Sequence, residues 1–172
     1  QRQMCIRDRV ARLEADNLEE RNAMRRVLER LANDLCHELS LWDEFTRVTI
    51  YGHIDDGTTS GFLPLARCSN NPRYEKLGRA FYEDTQVGYL GAAWEDGRVQ
   101  RSFRSTNGAR ENLWKPSTDR EGTKRKPPLT REQAEALTLT MEPRSVIGIR
   151  LDGDQGSEKH GIILFESMMY DK

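Results

Sequence analysis

Gly161-Ile162-Ile163-Leu164-Phe165-Glu166-Ser167 is the stretch on which the fold turns. Its four central residues are apolar without alternation. Both faces of any strand they form must then be covered, which predicts a central strand. Ser145-Val-Ile-Gly-Ile-Arg-Leu151 lies shortly before it and joins it through Asp152-Gly153, so the two predict an antiparallel hairpin. Further upstream, Arg47-Val-Thr-Ile-Tyr51 alternates as a strand does, and Asp55-Asp56-Gly57 turns the chain into a second strand, Phe62 to Cys68. Pro64 has no N–H for a ladder, so it predicts an edge or a bulge there. Arg98 to Phe103 reads as a further strand.

Helical periodicity fills the gaps between these strands. Val10 to about Leu41 contains neither Gly nor Pro. Met24, Val27, Leu28, Leu31, Leu35 and Leu39 recur at helical spacing and predict a broad stripe that packs on the sheet. Residues 10–23 differ. Val10, Leu13 and Leu18 stand among charges, and Asn17 and Glu20 occupy the positions that would continue a heptad seam. This predicts a helical stalk, a weak coiled coil or a solvated helix end. Gly88 to Glu95 predicts a short helix that Asp84 or Thr85 could cap and Gly97 could end, with Val87, Leu90 and Trp94 on one face. Thr130 and Gln133 form a capping box, with Leu129 and Ala134 as a staple, for a helix running to about Leu139. The order is helix, hairpin, short helix, strand, long loop, helix, hairpin. It predicts an α+β domain with an antiparallel sheet of five to six strands, helices packed on it and a long N-terminal helix.

Residues 1–9 are excluded from this reading. Met4-Cys5-Ile6-Arg7-Asp8 is what ATG-TGT-ATA-AGA-GAC encodes, which resembles a transposase end sequence ligated to DNA fragments, and Arg2-Gln3 fits the tail of a second copy. On this expectation the native chain starts at Val10 and is cut upstream. Residues 10–172 then carry 24 basic and 27 acidic residues, a net charge of −3 in place of −1. Such mild acidity gives no reason to expect nucleic acid or an anionic membrane as partner. A charged fraction of 32% and a mean hydropathy of −0.80 fit a long solvated helix attached to one cored domain. Two unclustered cysteines, Cys36 and Cys68, suit a reducing cytosol and give neither a disulfide framework nor a zinc spacing. The visible part has no apolar run near the ~20 residues of a membrane span.

Several phrases resemble the GAF sensor domains. They are Arg47-Val-Thr-Ile-Tyr51, then Leu65-Ala-Arg-Cys-Ser-Asn-Asn-Pro72, and Asp84-Thr-Gln-Val-Gly-Tyr-Leu-Gly-Ala-Ala-Trp94, with Arg144-Ser145-Val146 leading into the closing hairpin. The resemblance sets a GAF-like domain over residues 24–168. It implies a non-catalytic sensor that binds a small molecule between the sheet and the connections covering it, and that dimerises through its N-terminal helix. The partners implied are an unknown small molecule and a second copy, in the cytoplasm. A dimerisation or protein-contact module with no ligand is the alternative, and a sulfoxide-reductase-type enzyme a more distant one. Departures from subfamily patterns narrow the ligand. Cys68 is followed by Ser69 and not by the histidine of bilin-binding members, and the Asn-Lys-Phe-Asp-Glu set of cyclic-nucleotide binders is missing. The sulfoxide reductases of this fold need clustered thiols. Cys36 on a helix and Cys68 on a strand would meet only by chance of folding, so both read as buried structural thiols.

Candidate site residues follow from position in that family and from charge. Tyr82, Trp94 and Phe103 are the expected pocket aromatics, although large rings at such positions also serve as plain core. Between Arg98 and Pro128 nine basic residues face three acidic ones, so this connection could draw in an anionic ligand, with Arg101 and Trp114 added to the site. A solvated loop fits the same composition. His37, beside Cys36 and three residues after Asp34, has too few neighbours for zinc and reads as a helix-end histidine.

Overall fold

The computed structural model describes residues 2–77, 81–82, 88–102, 117–118, 124–125, 130–136, 141, 143–153 and 158–169. Helix α1 spans Arg2–Glu38. It has no Gly or Pro, and its many Arg, Glu, Leu and Ala residues favour helix, so it starts before Val10. It also ends short of Leu41, in a Schellman turn. There Leu41 N–H donates to Cys36 O at 2.8 Å, Ser40 N–H donates to His37 O at 3.0 Å, and Ser40 has a φ of 54°. Just past the turn, Trp42 stacks on the His37 ring, 4.6 Å between centroids. His37 is thus a helix-end residue, as expected.

Strand β1 (Thr46–Asp55) leads through a tight turn into β2 (Ser60–Cys68). Asp56 Oδ1 accepts from the N–H groups of Thr58 and Thr59 at 2.9 and 2.8 Å, and Gly57 takes a φ of +81° that a side chain would resist. Ile50 faces Ala66 and Tyr51 faces Pro64, so Leu65 is bulged out beside the proline. One short helix was not foreseen. It is α2 (Pro72–Glu75), whose first turn is capped by Asn71 Oδ1 accepting from Arg73 N–H at 3.0 Å.

Helix α3 (Gly88–Asp96) and β3 (Arg98–Ser102) follow, with Gly97 at φ +77° between them as the spacing predicted. The connection expected to be irregular contains β4 (Ser117–Thr118) and β5 (Lys124–Arg125), paired with each other. Helix α4 (Arg131–Ala136) comes next, and Thr130 at its start hydrogen-bonds Glu132. Strands β6 (Ser145–Asp152) and β7 (Lys159–Ser167) close the fold. The expected caps Asp84 and Thr85, the face residue Val87 and the staple residue Leu129 lie outside the described residues.

The main sheet has five antiparallel strands in the order β2-β1-β7-β6-β3. The apolar run of β7 is therefore central, and Pro64 lies on an edge strand. Ile162 and Leu164 pack on one side, Ile163 and Phe165 on the other. On the first face, α3 sets Leu90, Ala93 and Trp94 against Tyr51, Phe62, Val99, Val146 and Ile162. Gly148 permits this approach, because a Cβ there would lie 2.8 Å from Val99 Cγ1 and 2.9 Å from Ala93 Cβ. On the second face, α1 lays Leu28, Ala32 and Cys36 on Val48, Ile50, Ala66 and Cys68. Complete burial of Phe62, Val48, Ile162 and Val146 contributes about 1.5–3 kcal/mol each.

The expected packing stripe of α1 needs correction. Met24, Val27, Leu31 and Leu39 are 45% to 63% exposed, while Ala32 and Cys36 are buried. Small residues let the helix axis approach the sheet closely, and close packing leaves no room for the larger ones beneath it.

Candidate functional site

Alternate residues of β1 point to opposite faces, so Arg47, Thr49, Tyr51 and His53 share the α3 side with Ile162, Leu164 and Glu166 of β7. That face has two zones. At one end a cross-strand row runs Arg47, Glu166, Val146, Arg101. Arg47 holds Glu166 bidentately, Nε to Oε2 at 2.7 Å and Nη2 to Oε1 at 2.8 Å, with both residues buried. Burial works against the Arg47 charge, but the adjacent Glu166 carboxylate and its hydrogen bonds more than offset this and hold the guanidinium above its ordinary pKa. Beside the pair, Arg67 Nε donates to buried Thr49 Oγ1 at 3.0 Å.

Three tyrosines border this row. Tyr51 and Tyr82 meet edge to face, 6.0 Å between centroids. Tyr82 is fixed by a two-way backbone bridge to Phe62, at 2.9 and 3.0 Å. Gly61 makes that bridge possible, since its missing Cβ would collide with the Tyr82 carbonyl. Tyr89 packs on the same core, and Arg101 lies close enough to oppose the rise in its phenol pKa. Burial, reinforced by Glu166, pushes the Tyr51 and Tyr89 phenols well above their usual range, so both act as neutral hydroxyls.

The other zone surrounds Trp94. Its ring stacks on His53 at 4.2 Å and meets Phe62 edge-on at 5.3 Å, and Lys159 Nζ stands 5.1 Å from the ring centroid. Arg150 ties the end of α3 to the sheet, Nη1 donating to Trp94 O at 2.6 Å while Nε donates to Asp152 at 2.6 Å. A cation on a terminal helix carbonyl satisfies a group the helix itself cannot.

The fold thus brings Tyr82 and Trp94 onto one cluster and puts Arg101 in the row of Arg47, on the same face. Trp94 is built into the core, Tyr82 is half-buried at its margin, and Arg101 Nη1 donates to Gln100 O at 2.8 Å. Phe103 and Trp114 lie outside the described residues. The Arg47–Glu166 pair escaped sequence reading. Its only signal was a charge of each sign at an inward position of an otherwise apolar strand.

The chain matches no family model and no curated protein. Among solved structures it is similar to the GAF domain of a two-component sensor histidine kinase from Bacillus halodurans, with 13% identity and a TM-score of 0.43. That likeness covers 84% of this chain and 79% of the other. Similarity at this level leaves function to be read from the residues themselves.

The α1 side of the sheet carries two grooves. One, of about 580 Å³, lies beside the end of α1 and is lined by Leu39, Leu41, Ile147, Ile149, Phe165 and Met169 among others. The second, of about 810 Å³, runs between α1, β2 and α2, and Cys68 forms part of its wall. Cys36 and Cys68 are buried, as expected, yet the fold sets them in one cluster. Among the described residues no helix is long and apolar enough to cross a membrane, and no three His, Cys, Asp or Glu side chains gather as metal ligands.

Proposed function

We propose that this chain is a non-catalytic sensory or regulatory domain that binds a small, anionic ligand over the Arg47, Glu166, Arg101 row and passes the change to α1. The observation that carries the proposal is the buried Arg47–Glu166 pair set among Tyr51, Tyr82 and Tyr89. Ion pairs are costly to bury against an apolar core, and such placements concentrate at functional sites. The Arg101 fork suits a carboxylate or phosphate, neutral tyrosine hydroxyls suit its oxygens, and Tyr82 and Trp94 supply apolar surface on the same face. This is also the kind of role the GAF resemblance implies.

Transmission runs through β1. Thr49 and Tyr51 face the proposed site, while Val48 and Ile50 pack with Ala32 and Cys36 of α1. A shift of that strand therefore displaces the helix, because packed interiors transmit strain. Thermal-shift measurements with nucleotides, amino acids and organic acids test the proposal, since a ligand that binds only the native state raises Tm by mass action. An organic acid or nucleotide that raises Tm in the parent protein and fails to do so in Arg101→Gln supports it. No shift across the panel overturns it.

A second reading, a homodimer or protein-contact module working through α1, draws on the exposed Met24, Val27 and Leu31 together with Ile149, 40% exposed in the smaller groove. Sedimentation velocity decides it. A dimer dissociated by Val27→Glu supports this reading, and a monomer at all concentrations removes it.

A further inference from the structure

Cys36 and Cys68 come from different elements and meet where α1 crosses edge strand β2. Both lie in the cluster of Ala32, Val48, Ile50 and Ala66, at 2% and 8% exposure. Cys68 Sγ reaches Asn33 Oδ1 at 3.5 Å, and Asn33 precedes Cys36 by nearly one turn, on the same helix face. Cys36 and Cys68 thus lie together in that cluster, close enough for each thiol to influence the ionisation of the other. The two differ in access, since Cys68 borders the groove of about 810 Å³ between α1, β2 and α2, which Arg25, Arg67 and Lys76 also line. Glu29 and Glu75 share that wall, and Glu29 accepts from Arg25 Nε at 2.7 Å, so the groove carries charges of both signs.

We propose that Cys68 and Cys36 are a reversible redox pair, oxidised through the groove by a small disulfide to a bond that fastens α1 to β2. In the first step the Cys68 thiolate attacks one sulfur of the incoming disulfide. The S–S bond breaks, one half leaves as thiolate, and it takes up the proton that Cys68 lost. In the second step the Cys36 thiolate attacks Cys68 Sγ and expels the other half, which takes the Cys36 proton. Two protein thiols lose two electrons and two protons, and one small disulfide becomes two thiols.

Access sets the order of attack, because Cys68 borders the groove and Cys36 does not. The mutual influence of the thiols pushes Cys36 up and Cys68 down, while the Cys68 S–H donates to Asn33 Oδ1 at 3.5 Å. Burial raises both thiols, Cys36 to about 12, with Asp43 adding to the rise at Cys36 and Glu75 at Cys68. Exchange is therefore slow at neutral pH and accelerates as pH rises. The link depends on thiol geometry alone and holds whether or not the opposite sheet face takes a ligand.

The test uses the full chain carrying Cys5→Ser, which removes the third thiol. The reduced protein is held with oxidised glutathione in native buffer at about pH 7 and about pH 9. A peptide joining residues 36 and 68 is expected, forming about tenfold faster per pH unit, with a rise in Tm that dithiothreitol reverses. Cys36→Ser is expected to retain one glutathione on Cys68, and Cys68→Ser to take none. A linked peptide that forms only in urea overturns the proposal, as does glutathione on Cys36 in Cys68→Ser. If either variant loses its native circular dichroism, cross-linking of the parent protein decides the matter.

Discussion

Arg47 and Glu166 stand directly opposite each other in the β1–β7 ladder and close a bidentate ion pair beneath the surface, although 119 positions separate them in the chain. The pair anchors the polar end of a face that is otherwise apolar. Each charge is tolerated only because the other is present.

Removing one partner should therefore be severe. Glu166→Leu strands the Arg47 guanidinium and is expected to cost about 3–5 kcal/mol in urea unfolding. The double variant Arg47→Met with Glu166→Leu should recover most of that loss. Equal losses in the single and double variants would show that the pair is not the source of the effect.

Ser40 ends α1 with φ at 54°, a conformation glycine adopts freely and serine does not. Ser40→Gly is expected to stabilise the fold by about 1 kcal/mol, and Ser40→Val to destabilise it. Chemical denaturation of the three proteins gives the ranking.

The close approach of α3 to β6 depends on Gly148, where a side chain would press on Val99 and Ala93. Gly148→Val is expected to cost about 1–3 kcal/mol through overpacking. Near-UV circular dichroism should weaken at the same time, as the fixed setting of Trp94 loosens.

His53 supplies a pH dependence. Its partial burial against Trp94 lowers its pKa below the usual 6.5, with Lys159 acting in the same direction and Asp55 against it. The unfolded chain then binds a proton more readily than the native one, so stability is full above about pH 6.5 and falls as pH drops below it. Melting curves from about pH 8 to about pH 5 should show that decline, and His53→Phe should flatten it.

Legibility differed by level. The β7 run, the bulge at Pro64 and the stop at Gly97 were readable because each depends on neighbours within a few residues. The face of α1 was not. Leu28 and Met24 both fit a helical stripe, and only contact with β1 and β2 selected the flank containing Ala32 and Cys36. Among the candidate site residues, Tyr82 and Trp94 follow from family position and Arg101 from charge, and the three share one sheet face. Arg47 and Glu166 went unnoticed because nothing local joins them.

The sequence by itself determined the periods of the main elements, the five strands of the main sheet and helices α1, α3 and α4, and that β7 must be central. The short α2, β4 and β5 carried no such signal. Backbone periodicity is a property of adjacent residues, so the chain carries it openly. The tertiary structure alone decided the pairings, Arg47 with Glu166, Cys36 with Cys68, and His53 with Trp94. Each pairing depends on sheet register and on helix placement. Both are set by which arrangement buries the most apolar surface without voids, and that is a property of the whole chain.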